Sequence, residues 1–336
     1  MAAGHRRREY QCGVRPIVFR RPGVTNGAIG SVPYMRDLIL AAYPAAKFNE
    51  DIRHRMSEDE VIAFLSDCDC AIMGGDVVSD RMLRALPQIR SIGIFGVGLN
   101  TVDLLACQRH GVRLGFTPGV NRLAVAELAL CFMIAGLRWV APLSLAMRQG
   151  EKPRTRVGRS LTGRVVGLHG CGHIGKEMVR LLKPFGCTIL THDLRDYAEF
   201  YRAHDVTPVS FDELLERSEV LSLHIPRGRA TENLYDGPTL ARLRPDCVLV
   251  NTCRGGIVNE QALLDRLESG QLIAACLDVF AQEPPDDERL LRHPNLLSTP
   301  HAGASTREAR IAMVEAALNG LHQGELVDPA NFTDYL

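Results

Sequence analysis

Short apolar runs alternate with amphipathic segments along most of the chain, and the alternation predicts strands separated by helices. In the first third, Pro16–Arg20, Asp69–Met73, Ser91–Phe95 and Val112–Phe116 read as strands, while Ser31–Ala42, Ser79–Ala85 and Thr101–His110 read as helices. Two of these strands run into glycine turns, Gly74-Gly75-Asp76 and Gly96-Val97-Gly98. After a break at Thr117-Pro118-Gly119-Val120-Asn121, the spacing predicts one long helix over Arg122–Met147. A polar stretch, Arg148–Ser160, leads into a second set of strands at Val165–His169, Thr188–His192, Glu219–Leu223, Asp246–Asn251, Ile273–Val279 and Leu296–Thr299. Helices are predicted at Lys176–Pro184, Phe211–Arg217 and Asn259–Glu268, and a last one, Ser305–Leu321, is expected to return to the first domain. Alternation of this kind argues an α/β fold of two doubly wound parallel-sheet domains. The expected division is 1–117 with 304–336, and 118–303.

Composition narrows the class only modestly. The 336 residues are 46% hydrophobic and 23% charged, an ordinary globular mix. Formal net charge is zero, which gives no footprint for nucleic acid or for an anionic membrane surface. Arg6-Arg7-Arg8 lies in a segment without hydrophobic periodicity and reads as a solvated terminus. The apolar stretch from Leu123 to Val140 carries Glu127 and Arg138, so a buried helix fits it better than a membrane span. Of ten cysteines, Cys131, Cys187, Cys247 and Cys276 lie in apolar runs and read as core, and Cys68 and Cys70 are too close together for a zinc half-site. No metal site is expected, and the chain reads as cytoplasmic with reduced thiols.

The most informative stretch is Arg164-Val165-Val166-Gly167-Leu168-His169-Gly170-Cys171-Gly172-His173-Ile174-Gly175-Lys176. Gly170, Gly172 and Gly175 form G-x-G-x-x-G between a predicted strand and a predicted helix, the context the dinucleotide fingerprint requires. Gly170 permits the tight turn, Gly172 lets the backbone approach a pyrophosphate, and Gly175 lets helix and strand pack closely. The N–H groups of His173 and Ile174 would open the helix toward phosphate. The next apolar run ends at Asp193, placed to bond both hydroxyls of an adenosine ribose. A carboxylate there repels the extra phosphate of NADP, so the expected cofactor is NAD.

Three strand ends carry the remaining candidate chemistry. Arg254 follows Asn251-Thr252-Cys253, Glu283 follows Leu277-Asp278-Val279-Phe280, and His301 follows Thr299-Pro300. In a parallel sheet these ends share one rim with Gly170. An arginine fork holds a carboxylate and polarises the adjacent carbonyl. An imidazole beside a carboxylate supplies a proton near neutrality. Spacing alone leaves open whether Glu283 reaches His301.

These motifs, in this order, make the chain resemble the D-isomer-specific 2-hydroxyacid dehydrogenase family. The match runs from about residue 69 to 319. It takes in Gly96-Val97-Gly98-Leu99-Asn100-Thr101-Val102-Asp103, Pro118-Gly119-Val120-Asn121 with Val125-Ala126-Glu127, the glycine fingerprint, and Leu223-His224-Ile225-Pro226 with Thr231. Asn251–Gly256, Leu277–Phe280 with Glu283-Pro284, and Thr299-Pro300-His301 complete it. The resemblance implies a Rossmann NAD-binding domain inserted in a flavodoxin-like substrate domain. It implies His301 as acid/base paired with Glu283, and Arg254 as the group binding substrate carboxylate and carbonyl. The N–H groups of Gly75, Val97 and Gly98 would bind the carboxylate. Asp278 would bond the nicotinamide carboxamide, and Thr252, Cys253 and Gly303 would line the nicotinamide side. His224, Pro226 and Thr231 would border the adenosine and phosphates. A homodimer through helix 122–147 and closure of the domains over a small 2-hydroxy or 2-oxo acid are also implied.

Departures from the family pattern bear on substrate. Where many members carry Arg or Ser, this chain has Gly74-Gly75-Asp76, and Asp76 disfavours a second anionic group if it faces the pocket. The aromatic residue usual after the long helix is replaced by Gly150-Glu151-Lys152-Pro153, and the single tryptophan, Trp139, lies within the helix. No long C-terminal extension for a regulatory domain is expected. Two functional classes remain: an NAD-dependent oxidoreductase of 2-hydroxy acids, and an NAD(H)-sensing binding protein on the same scaffold. The intact Arg254, Glu283 and His301 set favours the enzyme.

Overall fold

Parallel strands buried on both faces should be largely apolar, and the central strands of this protein are, with Ser91, Ser222 and Asn251 among the buried polar exceptions. The computed structural model describes residues 19–52, 54–151, 157–326 and 328. The chain divides into two compact units: one runs to Phe95 and adds Thr101–Thr117 and the chain from Val314, and the other comprises Gly96–Asn100 with Pro118–Met313.

In the first unit the strands are β1 (Pro22–Val24), β2 (Lys47–Phe48), β3 (Cys70–Met73), β4 (Ser91–Ile94) and β5 (Arg113–Gly115). They lie in the order β2-β1-β3-β4-β5, all parallel. This is the flavodoxin-like order, with its switch point between β1 and β3. In the second unit the strands are β6 (Val165–His169), β7 (Thr188–His192), β8 (Val206–Pro208), β9 (Val220–Leu223), β10 (Val248–Asn251), β11 (Ala274–Leu277) and β12 (Leu296–Ser298). Their order is β12-β11-β10-β9-β6-β7-β8, again all parallel. With β7 and β8 on one side of β6 and β9 to β12 on the other, this is the Rossmann arrangement extended by one strand. Residues along β9–β11 alternate between two cores. Leu221, Leu249, Ala275 and Leu277 face one, and Val220, Val248, Val250, Ala274 and Cys276 face the other. A short strand β13 (Glu325–Leu326) pairs antiparallel with β5 and closes the first sheet.

Several elements differ from the sequence expectation. The first strand is Pro22–Val24, not Pro16–Arg20; Phe19 and Arg20 are outside it, and Pro16–Val18 lie outside the described residues. A Pro-Gly pair reads as a turn, yet Gly23 is required here because Leu65 and Cys68 pack where its Cβ would be. The helix expected over Ser31–Ala42 is two, Gly27–Ser31 and Pro33–Ala42, because Pro33 starts a helix but cannot continue one. The long helix over Arg122–Met147 is also two, Arg122–Leu137 and Val140–Arg148, bent by 68°. Pro142 explains the break, since its ring clashes with the carbonyl of Arg138 and it has no N–H to give. Trp139 takes the left-handed conformation at the bend, and the Leu137 carbonyl accepts the Arg159 N–H at 2.9 Å. Among the described residues no single helix is long and apolar enough to cross a membrane. Cys247 and Cys276 are buried as expected, but Cys187 is half-buried and Cys131 is exposed on the outer face of its helix.

The final helix, Arg307–Gln323, passes into the first unit, where Val314, Ala317 and Leu321 join the core with Val24, Ile29, Ile39 and Ile72. The Ser91 hydroxyl donates to the Leu321 carbonyl at 2.9 Å. Gly115 and Gly320 bring strand and helix backbones together so closely that a Cβ on Gly115 would overlap the Gly320 backbone. Backbone cannot rotate away as a side chain can. Gly115→Ala should therefore destabilise the fold by roughly 1–3 kcal/mol, the cost of overpacking. Equilibrium urea denaturation would show this as a lowered midpoint; an unchanged midpoint would contradict the close approach.

Candidate active site and dinucleotide site

Because β6, β9, β10, β11 and β12 are consecutive parallel neighbours, their C-terminal ends fall in sequence along one edge of the second sheet. At about 4.8 Å per strand the row spans roughly 19 Å, the footprint of an elongated ligand.

The row begins at the glycine turn. Gly170 has φ of 98°, and a Cβ there would lie 2.5 Å from the His224 carbonyl oxygen. Gly175 is pressed against the Gly170 carbonyl, whereas the position a Cβ would take on Gly172 has no atom within 4 Å. The loop is thus tight beneath and open above. Gly172 is the N-cap of helix His173–Leu182, so the N–H groups of His173 and Ile174 belong to a first turn that has no intrahelical acceptors. Gly119 packs under the His173 ring, and burial lowers the pKa of that imidazole. The Asp193 carboxylate, at the end of β7, accepts the N–H of Cys171 at 2.6 Å and of Arg195 at 2.8 Å. The acidic residue and the glycine turn are therefore one hydrogen-bonded unit.

At the end of β9, Thr231 braces the next turn: its hydroxyl donates to the Pro226 carbonyl at 2.7 Å and accepts the Gly228 N–H at 2.8 Å. Both ring nitrogens of His224 are buried without a partner among the described residues. Burial pushes this imidazole down to about 3, so it is neutral at pH 7. At the end of β10, the Asn251 side chain accepts the Cys253 N–H at 3.1 Å and donates to the Arg254 carbonyl at 3.0 Å, which fixes the turn. The Thr252 hydroxyl is buried without a partner among the described residues, and burial pushes the Cys253 thiol up to about 11. The Arg254 guanidinium donates from Nη1 to the Cys253 carbonyl at 2.7 Å.

The far end holds the titratable pair. The buried Asp278 carboxylate, just past β11, accepts the N–H of Ala302 at 2.7 Å and of Gly303 at 2.8 Å, and the hydroxyl of Thr299. Its own carbonyl accepts the His301 N–H at 2.8 Å. These bonds hold His301 at φ of 52°, a conformation that few residues other than glycine adopt. From there His301 Nδ1 lies 2.8 Å from Glu283 Oε2, which answers the question that spacing left open. Glu283 is held in turn by the Phe280 N–H, 3.2 Å from Oε1, and its peptide bond to Pro284 is cis. The hydrogen bond to Glu283 raises the His301 pKa against the opposing effect of burial. Burial pushes the Glu283 carboxyl up, but the bond and charge of His301 outweigh it and leave the pKa lowered. Gly255 carries no Cβ because the Phe280 carbonyl fills that space, so the Arg254 turn and the Glu283 turn touch.

Val97 and Gly98 lie in the Gly96–Asn100 segment of this same unit, and a Cβ on Gly98 would sit 2.7 Å from Arg254 Nη2. Asn100, to which sequence reasoning gave no role, accepts Arg254 Nε at 3.4 Å. The two residues are 154 positions apart, so no local pattern could have joined them. Gly75 lies in the first unit, at the end of β3, with φ of 86°, and its carbonyl accepts from Arg55. Asp76 is 7% exposed and accepts the Thr25 hydroxyl at 2.5 Å. Its carboxylate is turned inward, so the condition under which Asp76 would disfavour a second anionic group on the substrate is not met.

The open space above Gly172, the unpartnered His224 nitrogens and the unpartnered Thr252 hydroxyl fit a polar, phosphate-bearing ligand along this edge. Among the described residues no three His, Cys, Asp or Glu side chains gather as they would for a metal ion.

Comparison with known proteins agrees with this geometry. Residues 130–303 match the family model described as D-isomer specific 2-hydroxyacid dehydrogenase, NAD binding domain. The chain belongs to that family, and its cofactor is NAD. It is 33% identical over 282 residues to D-3-phosphoglycerate dehydrogenase 2, chloroplastic, of Arabidopsis thaliana, a match covering 82% of this chain and 44% of that one. The chain spans about half the length of the curated relatives it matches. Among solved structures it is similar to a glyoxylate reductase from Paecilomyes thermophila (26% identity, TM-score 0.80, 94% of this chain and 100% of that one). It is also similar to the TT0316 protein from Thermus thermophilus (28% identity, TM-score 0.80, 90% of this chain and 95% of that one).

If Asp193 selects the cofactor, Asp193→Ala should weaken NADH binding by roughly 10- to 100-fold, the worth of a hydrogen bond to a charged group. NADPH binding should weaken far less. Fluorescence titration with both nucleotides measures this, and equal losses would remove Asp193 from cofactor choice.

Proposed function

We propose that this protein catalyses reversible hydride transfer between NAD(H) and a small D-2-hydroxy acid or its 2-oxo acid. The observation that carries the reading is the His301 Nδ1–Glu283 Oε2 contact of 2.8 Å, set on the same sheet edge as Arg254 and the glycine turn. Bound NADH supplies the hydride, and NAD+ accepts it in the reverse direction. The guanidinium of Arg254 holds the substrate carboxylate and draws electron density from the adjacent carbonyl. With Nδ1–H directed at Glu283, Nε2 of His301 is the atom that gives a proton to the carbonyl oxygen. The Glu283 carboxylate balances the positive charge of the imidazolium. Reduction needs that imidazolium, which is present below the raised pKa of His301 and lost as pH rises through it. Oxidation needs the neutral ring and gains on the alkaline side.

The cofactor would lie along the edge, its pyrophosphate against Gly170, Gly172, His173, Ile174 and Gly175 and its adenosine ribose at Asp193. His224, Pro226 and Thr231 would flank the adenosine half. Thr252, Cys253, Asp278 and Gly303 would flank the nicotinamide half; one lone pair of Asp278 is free for the carboxamide once three bonds to the 299–303 turn are made. N–H groups of Val97 and Gly98 would serve the substrate carboxylate. The division into residues 1–117 with 304–336 and 118–303 is supported in outline by the two compact units, although segments 96–100 and 304–313 cluster with the second. A non-turning NAD(H) sensor is not favoured, because the relatives named above are a dehydrogenase and a reductase.

A homodimer through the helix pair 122–137 and 140–148 is supported by the apolar character of Arg122–Leu137 around most of its circumference, Arg122 and Glu127 excepted, and by exposed Leu123, Val140, Leu145 and Met147. Nine unpaired cysteines among the described residues suit a reducing compartment such as the cytoplasm.

The direct test follows NADH oxidation with glyoxylate, hydroxypyruvate, pyruvate, a branched 2-oxo acid, 2-oxoglutarate and a phosphorylated 2-oxo acid. At least one should turn over, and His301→Ala should lose at least about a hundredfold of that rate while still binding NADH. Silence across the panel with NADH bound, or full turnover by His301→Ala, would contradict the proposal.

A further inference from the structure

We propose that Asn100 is a positioning residue that sets the orientation of the Arg254 guanidinium, and so selects which of its edges meets the substrate. The inference rests on the reading of Arg254 as the substrate clamp. Arg254 offers five N–H donors and no acceptor. Nη1 is engaged by the Cys253 carbonyl at 2.7 Å and Nε by Asn100 Oδ1 at 3.4 Å. Nη2 has no protein acceptor among the described residues and occupies the space left by the absent Cβ of Gly98. Two anchors fix the plane of the fork, and the Nη2 edge with the second Nη1 proton is what remains for a carboxylate.

The chemistry of its neighbours also fixes which way the Asn100 amide points. On one side is a guanidinium, which can only donate; on the other is the Arg227 carbonyl, which can only accept and lies 3.5 Å from Asn100 Nδ2. An amide satisfies both in one orientation. A carboxylate would meet the carbonyl with a second acceptor, and an apolar side chain would serve neither. The Arg227 backbone that anchors Asn100 is itself held. Its guanidinium pairs with Glu232 at 2.9 Å and lies over Gly256, 3.0 Å from where a Cβ would be. Asn100 thus links the turn after β9 to the arginine after β10.

The test is a double-mutant cycle with a spectroscopic readout. Asn100→Ala should raise KM for the 2-oxo acid at least tenfold and leave the KM for NADH and the thermal midpoint within error. In an Arg254→Lys background, which has no Nε–H for Asn100 to hold, the same substitution should cost less than twofold. Equal losses in the two backgrounds, or a rise in NADH KM of the same size, would overturn the proposal. Independently of turnover, the 15N–1H signal of Arg254 Nε, assigned by its absence in Arg254→Lys, should shift and exchange faster with water in Asn100→Ala. An unaltered signal overturns the proposal whatever the kinetics. An altered signal in a protein that turns over no 2-oxo acid would uphold Asn100 as the positioning residue and defeat the proposed activity instead.

Discussion

The buried carboxylate of Asp278 is the interaction on which the site depends. A carboxylate with little access to water must have its oxygens satisfied, and this one is satisfied by a hydroxyl and two backbone N–H groups of a single turn, Thr299–Gly303. The turn is thereby wrapped around the end of β11, and His301 is held in a left-handed conformation that a free chain would avoid. That conformation puts Nδ1 on Glu283. The pair is a consequence of how Asp278 meets its hydrogen-bonding needs.

A second constraint makes the first useful. Parallel strands present all their C-terminal ends at one edge, so residues far apart in sequence become neighbours without any loop having to travel. The glycine turn, the Arg254 turn and the His301 turn are each local structures. The order β12-β11-β10-β9-β6 places them in a row. Close contacts then lock adjacent turns together: Gly170 against the His224 carbonyl, Gly255 against the Phe280 carbonyl, and Gly98 against Arg254.

What could be read in the sequence was what local spacing encodes. The strand–turn–helix around Gly170, Gly172 and Gly175 was legible because each glycine answers a steric need within a few residues. The strands β9–β11 were legible because burial on both faces leaves a largely apolar run, broken only by Ser222 and the terminal Asn251. Four things were not legible. The break at Trp139 was hidden by an apolar pattern that continues past it, with Pro142 as the only mark. The first strand was hidden by a Pro-Gly pair that reads as a turn, although packing from Leu65 and Cys68 demands glycine at 23. The direction of the Asp76 side chain depends on Thr25, 51 positions away, and sequence gives no sign of that. The Asn100–Arg254 bond is illegible for the same reason.

In the proposed mechanism Glu283 keeps His301 protonated, and so available as a proton donor, to higher pH than an ordinary histidine would be. The measurement that tests this most directly is kcat/KM for reduction of the preferred 2-oxo acid as a function of pH, in the parent and in Glu283→Gln. A group whose pKa is raised keeps its proton to higher pH, so the parent should lose reductive activity at higher pH than an ordinary histidine would. Removing the carboxylate charge should bring that loss to lower pH. An alkaline limb that stays in the same place after Glu283→Gln would contradict the account.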